Sequence, residues 1–320
     1  MIQVADHVAE VLRAGGPVVA LESTIISHGL PRPDNLRIAH EIEDEVRSHG
    51  AVPATIGMVE GRIVVGLSAH ELERLANSDH VAKLSVRDLA IAAATKADGA
   101  TTVASTSAIA HAAGIRVFAT GGLGGVHREA FDESADLVTL ARTPIAVVCA
   151  GVKSILDIGA TLERLETLGV GVVGYGTNRF PGFFITDSGH PLDWSLDTPG
   201  EIASVLQAQA AQRVNGAALV VANPLPDSEQ LDPALHDRVL AEGLSIVERD
   251  RVTGKNVTPV LLSHFHAATQ GASLAVNVRI ILRNAALAAQ IAVALATSSS
   301  SGSARIAAHP DTPAQEHGFA

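Results

Sequence analysis

The sequence predicts a single α/β domain: a mostly parallel, mixed sheet in a three-layer α/β/α arrangement. Three observations carry this. Short apolar runs of strand length alternate with helical stretches along most of the chain, the pattern of successive β-α-β units. The apolar load is aliphatic, with 47% hydrophobic but only 3% aromatic residues, as expected of strands buried on both faces. A chain of 320 residues can bury one sizeable core without demanding a second domain. The domain is expected over 1–297, with 298–320 (Ser/Gly/Pro-rich, without apolar periodicity) as a disordered C-terminal tail.

The elements follow in order. PVVALE (17–22) reads as a strand after an opening helix. Asp34 opens a helix whose apolar residues Leu36, Ile38, Ile42 and Val46 fall on one face. VPATIGMV and GRIVVGL flank Glu60-Gly61 as a hairpin, and Ser68 caps the helix AHELERLAN. VAKLS (81–85), ATTVAS (100–105), IRVFATGG (115–122), IAVVCAG (145–151), VGVVGYG (170–176) and ALVVANPLP (218–226) read as buried strands. Helical segments separate most of them: VRDLAIAAATKA, SAIAHAAG, SADLVTLART and ILDIGATLERLETLG. From Asp227 to about Thr297 the chain reads as mostly helical, and the very apolar stretch 284–297 as a buried helix.

Composition excludes several classes. The net charge is −11, with no basic run and no array of aromatics for stacking bases, which argues against nucleic acid as a partner. No long uncharged span predicts a membrane helix, and the N-terminal segment lacks an apolar signal core. The lone Cys149 permits no intrachain disulfide and suits a reducing cytoplasm. Set in an apolar run, it reads as a small core residue.

In open α/β sheets the site lies beyond the carboxyl ends of the strands, and polar residues gather there. Glu22 ends PVVALE, Thr120 leads into GGLGG, Lys153 follows IAVVCAG, and Lys83 lies inside VAKLS. Each has an ordinary explanation: a helix cap, a Gly-rich turn, an edge lysine with its amine in water. GGLGG lacks the lysine of a P-loop and the spacing of the dinucleotide fingerprint. The lysines are harder to dismiss. A lysine attacks carbon only as the neutral amine, which a second cation or apolar surroundings favour. Lys153 with Lys83 as that cation, and a carboxylic acid such as Glu22, suggest imine chemistry on a carbonyl or latent aldehyde.

These segments also resemble the pseudouridine-5'-phosphate glycosidase family, nearly end to end. The resemblance rests on VALESTIISHGLPRPDN, HGAVPATIGMVEGRIVVGL, VAKLSVRDL, GATTVAST, RVFATGGLGGVHR, SADLVTLARTPIAVVCAGVKSILDIGATLE, VVGYGTNRFPGFF and SLAVNVRIILRNAALAAQIAVAL. It implies a proton donor at Glu22, a nucleophile at Lys153, substrate contacts at Lys83, Val103, Ser134, Ala135 and Asp136, and a divalent metal on Asp132. Thr120, His127 and Asn277 match further pocket residues. Between Arg128 and Phe131 the chain is a few residues shorter than the family's pattern, and Glu133 stands where the family commonly has Ile; Asp136 is the alternative metal ligand. The implied cofactor is Mn²⁺, with Mg²⁺ or another divalent ion as alternatives. The implied assembly is a homotrimer, and the substrates are pseudouridine 5'-phosphate, uracil and ribose 5-phosphate. The implied activity is reversible cleavage of the C–C glycosidic bond through a lysine Schiff base, acting in catabolism. A Schiff-base aldolase for another sugar phosphate and a non-catalytic sugar-phosphate-binding protein are the competing readings.

Overall fold

The computed structural model describes residues 2–128, 132–252 and 257–306. Among these, eleven strands form one sheet: β1 (Ile2–Val4), β2 (Val18–Glu22), β3 (Val52–Val59), β4 (Arg62–Val65), β5 (Ala82–Leu84), β6 (Gly99–Thr101), β7 (Val117–Ala119), β8 (Ala146–Cys149), β9 (Gly171–Tyr175), β10 (Ser195–Leu196) and β11 (Leu219–Ala222). The main path runs β1-β4-β3-β2-β7-β8-β11-β9-β10, and β6 branches from β3 to carry β5. Every pair is parallel except β3 with β4 and β3 with β6.

The helices are α1 (Asp6–Arg13), α2 (Asp34–Ser48), α3 (Ala69–Asn77), α4 (Leu89–Ala94), α5 (Val103–Ala112), α6 (Ala135–Leu140), α7 (Ile158–Thr167), α8 (Pro199–Gln212), α9 (Pro233–Arg249), α10 (Val257–Ala268) and α11 (Ala272–Ile306). They divide between the two faces of the sheet. Val19 and Leu21 of β2, Val117 and Ala119 of β7, and Ala146 and Val148 of β8 share one core with α2, α8 and α11. The alternate residues, Val18, Ala20, Phe118, Val147 and Cys149, point into a second core with α1, α5, α6, α9 and α10. Both faces of the central strands are thus covered, which is why their sequences are almost continuously apolar. Cys149 is fully buried in the second core, and burial pushes its thiol up to about 12, consistent with an inert core residue.

Local chemistry sets the boundaries. Glu60 and Gly61 both adopt positive φ, the geometry that joins two strands by a tight hairpin. Ser68 and Glu71 form a capping box on α3. The segment 100–105, expected to be one strand, breaks in two. Thr102 accepts a hydrogen bond from Ser105 N and its own N–H donates to Ser105 Oγ at 2.9 Å, so β6 stops at Thr101 and α5 begins at Val103. β1, β10 and α8 have no counterpart in the sequence-level reading.

By length and composition α11 could cross a membrane between Ala272 and Ser298. Most of its apolar stretch is instead buried against α2, α8, β7 and β8, as in a core helix. It runs on through Ile306, beyond the 297/298 boundary expected from sequence. Thr297 and Ser298 donate their hydroxyls back to Val293 O at 2.9 Å and Ala294 O at 2.8 Å, the i−4 back-bond of Ser and Thr inside a helix. The rest of the expected tail, 307–320, lies outside the described residues.

Candidate active site

β2, β7 and β8 lie side by side in the sheet, and the polar residues at their carboxyl ends converge. Glu22, the last residue of β2, is buried. Its Oε1 accepts a hydrogen bond from Thr120 Oγ1, just past β7. Burial raises the Glu22 carboxyl above its usual value of 4.5; the Lys153 ammonium and the Thr120 hydroxyl oppose the rise, Asp136 adds to it and Lys83 offsets it. A carboxyl biased toward its acid form can donate a proton at near-neutral pH.

Thr120 is itself fixed from behind. Asn284 of α11 donates Nδ2 to Thr120 O at 2.8 Å, and Asn223, past β11, donates Nδ2 to Asn284 Oδ1 at 3.0 Å. Asn223 thus braces the strand ends and does not line the cavity. Ser23 and Thr24 tie the next segment down. Ser23 Oγ donates to Ile56 O at 2.7 Å and accepts from Thr101 N at 2.9 Å, and Thr24 Oγ1 donates to Thr101 O at 2.8 Å. Because β6 pairs with β5, these bonds also hold the strand that carries Lys83.

Lys153 sits on a turn built around Gly151. Leu123 N donates to Gly151 O at 2.9 Å and Lys153 N to Leu123 O at 3.2 Å, so the lysine's backbone is pinned to the Gly-rich turn after β7. Gly151 has φ +85°, and a Cβ there would stand 2.2 Å from Pro181 O; only glycine permits this approach. Ser154 Oγ donates to Gly182 O at 2.7 Å from the other side.

One cavity joins these groups. Glu22, Thr24, Lys83, Lys153, Phe183 and Asn277 line it, with His28, Pro259 and Leu262 at its α10 side. Of the residues expected at a site, Glu22, Lys83, Lys153 and Asn277 reach this cavity, and Thr120 reaches it through Glu22. Val103 is buried at the first turn of α5. Ser134 caps α6, with Ala135 next to it.

Asp136 is buried, and both its oxygens are engaged. Oδ1 accepts from Ala104 N at 2.9 Å and Oδ2 from Gly124 N at 2.8 Å. It clamps the start of α5 to the Gly-rich turn, which leaves it poorly suited to the alternative role of metal ligand. A Cβ on Gly124 would stand 2.4 Å from Ser134 Oγ and 2.7 Å from Asp136 Oδ2. Gly124→Ala is therefore expected to loosen this clamp and lower unfolding stability by about 1–3 kcal/mol. Denaturant titration measures this; an unchanged midpoint would show that the clamp yields freely.

His127 and Asp132 face each other on the adjoining turn. His127 N donates to Asp132 O at 2.8 Å, and His127 Nδ1 lies 3.8 Å from Asp132 Oδ2. Neither lines the cavity. Glu133 points away and pairs with Arg164 at 3.1 Å. The shortened segment at 129–131 lies outside the described residues. Among the described residues no three His, Cys, Asp or Glu side chains cluster as a metal site. Asp132 offers one partly exposed carboxylate. That donor suits a hard divalent ion that keeps most of its waters, and not tetrahedral zinc.

The sequence reading missed the apolar and imidazole lining. Phe183 holds φ +65°, rare for a bulky residue, and its ring lies against Gly122. It edges onto Phe184, which stacks on Phe265 of α10. His28 lies on a single π-turn, Ile25–Gly29, of the kind common at functional sites. Burial and the Lys83 cation push its imidazole below 6.5, favouring the neutral form at neutral pH. The position of His28, six residues after Glu22 in the same motif, was the available signal; Phe183 offered none beyond its motif.

Known proteins resemble this chain along most of its length. A family model described as indigoidine synthase A like protein matches residues 7–294. A pseudouridine-5'-phosphate glycosidase of Salinispora tropica is 75% identical over 293 residues, 91% of this chain and 90% of the relative. One from Streptomyces griseus is 57% identical over 91% of each chain. Among solved structures, a prealnumycin C-glycosynthase in complex with ribulose 5-phosphate superposes with a TM-score of 0.87 at 36% identity, covering 94% of this chain and 99% of the other. An indigoidine synthase A-like protein of Thermotoga maritima gives 0.84 at 34% identity, covering 92% and 97%.

Proposed function

The chain belongs to the pseudouridine-5'-phosphate glycosidase family, whose model is named for indigoidine synthase A, and from that membership we propose that it reversibly cleaves pseudouridine 5'-phosphate into uracil and ribose 5-phosphate. The observation that carries this reading is the meeting of Glu22, Lys83 and Lys153 in one cavity, with burial biasing Glu22 toward its acid form.

The chemistry demands these groups. The bond to be broken joins C1' of ribose to C5 of uracil. It has no leaving nitrogen or oxygen for the paired-carboxylate route of ordinary glycosidases. Glu22 gives its proton to the ring oxygen as C1'–O4' breaks. The lone pair of the Lys153 amine bonds to C1', and the surplus proton on nitrogen returns to the Glu22 carboxylate. The nitrogen lone pair then drives C1'–C5 cleavage while C5 takes up a proton, leaving an iminium between Lys153 and the opened sugar. Water adds to that carbon, and collapse frees ribose 5-phosphate and the amine. One water is consumed and the protons balance. The Lys83 cation attracts the substrate phosphate, beside Ser, Thr and backbone N–H groups of the Gly-rich turn and the start of α5. Val103, Ser134 and Ala135 border that region, and Asp136 holds it in shape.

Mn²⁺ or Mg²⁺ would be held by Asp132 with water completing its shell, and would supply a positive charge that orders polar oxygens. Chelated protein is expected to rebind Mn²⁺, read from the loss of free-ion EPR signal, and Asp132→Ala to bind at least about tenfold more weakly. Equal binding by both proteins would remove Asp132 as the ligand.

The same reading makes the protein a cytoplasmic homotrimer active in catabolism. A single buried cysteine supports the compartment, and the exposed apolar Val86 and Ile91 offer a surface for self-association. The deciding assay incubates the protein with Mn²⁺ and pseudouridine 5'-phosphate. Release of free uracil is expected; its absence, with substrate intact, would overturn the assignment.

A further inference from the structure

We propose that the protein carries a second anion site, for a phosphate group, at the end of the sheet opposite the Glu22–Lys153 cavity. Arg116 immediately precedes β7, whose other end leads to Thr120. Pro144 and Gly216 precede the neighbouring strands β8 and β11. Between these amino ends lies a cavity of about 470 Å³.

Its charge is one-sided. Arg116, Arg213 and His111 line it, and no Asp or Glu does. The chain as a whole has 34 acidic against 23 basic residues, and arginines elsewhere, such as Arg37, Arg47 and Arg74, pair with carboxylates. Among the described residues Arg116 donates one hydrogen bond, to Leu206 O at 3.1 Å, of the five its guanidinium can make. Burial pushes that guanidinium below its usual value with no carboxylate to offset it. A partly desolvated cation without a counter-charge is costly unless an anion joins it.

Arg213 adds an independent observation. It ends α8 with φ +54°, a left-handed position that glycine fills without strain. The turn beneath it is firmly built: Gln209 Nε2 donates to Ala217 O at 2.6 Å, and Asn215 Nδ2 to Gly169 O at 2.7 Å. Strain kept at a well-ordered rim points to a use for the side chain. Two guanidinium forks match phosphate oxygens. Pro144, Leu206 and Ala210 supply an apolar wall, and the cavity exceeds a bare ion, leaving room for an organic body.

Phenylglyoxal labelling of the full chain, read arginine by arginine by peptide mass spectrometry, tests this. Inorganic phosphate or ribose 5-phosphate should slow labelling of Arg116 and Arg213 at least fivefold, saturably, while the exposed Arg13 labels unchanged and sodium chloride at equal ionic strength protects nothing. Protection at tenfold lower concentration by ribose 5-phosphate would assign a sugar phosphate, and equal concentrations a free phosphate. Arg213→Gly, which suits the left-handed turn and preserves the fold, should abolish protection of Arg116. No protection by either probe, protection matched by sodium chloride, or protection of Arg116 surviving in Arg213→Gly would each overturn the proposal.

Discussion

Lys153→Ala is expected to lower uracil release by at least about 10⁴-fold, the scale seen when a covalent nucleophile is removed, while leaving substrate binding measurable. Binding should persist because Lys83, Asn277 and the Gly-rich turn remain. Lys153→Arg should be equally inactive, since guanidinium stays protonated and cannot attack carbon. Borohydride added with ribose 5-phosphate should reduce the iminium and leave a stable sugar-phosphate adduct, placed on Lys153 by peptide mapping. An adduct on Lys83, or steady uracil release from Lys153→Ala, would refute the covalent route and leave the cavity to explain itself otherwise.

Glu22→Gln is expected to cost about 10²–10⁴-fold in kcat, the usual worth of a general acid. The pH profile makes the test specific. Burial raises the Glu22 carboxyl above 4.5, and the acid form is the one that works, so activity should fall as pH rises through that raised value. Glutamine cannot ionise, so its residual activity should lack this limb. Stability gives a second readout. Between 4.5 and the raised value the folded protein holds a proton that the unfolded chain has released, so this residue's contribution falls as pH rises through that window. Glu22→Gln should therefore gain in Tm relative to the parent as pH moves from 5 to 8. A difference that does not change with pH would show that Glu22 is not the ionising group.

Much of the fold could be read because its central strands are buried on both sides. Almost only apolar side chains, mainly Val, Ala and Leu, fill β2, β7, β8 and β11, and such runs are visible in a single sequence. β1 and β10 span three and two residues, too short to show any period. α8 is rich in Ala and Gln, so its apolar face is faint. The segment 100–105 misled because β-branched Thr and Val favour strands, whereas here Thr102 uses its hydroxyl as a helix cap.

The site was legible for a related reason. Glu22, Lys83 and Lys153 are charges set in or against apolar runs, an arrangement costly enough to attract notice. Phe183, Pro259 and Leu262 are not: an apolar side chain lining a cavity and one filling a core look alike in sequence. Asp136 was expected as a substrate contact or alternative metal ligand; its two backbone bonds reach segments 32 and 12 residues away, which no local pattern shows.

The bond from Asn284 to Thr120 O has a consequence for the order of events at the ribosome. It links positions 164 residues apart, and Thr120 in turn bears on Glu22 near the start of the chain. Glu22, Lys83 and Lys153 have all been synthesised well before α11 emerges, yet the brace behind Thr120 and the Asn277 wall wait for that helix. α11 also covers the face of β7 and β8, which stays exposed to water until then. Contacts of such sequence separation form slowly. The nascent chain therefore holds Glu22, Lys83 and Lys153 before the brace around them exists, and the cavity is completed as one of the last steps of folding.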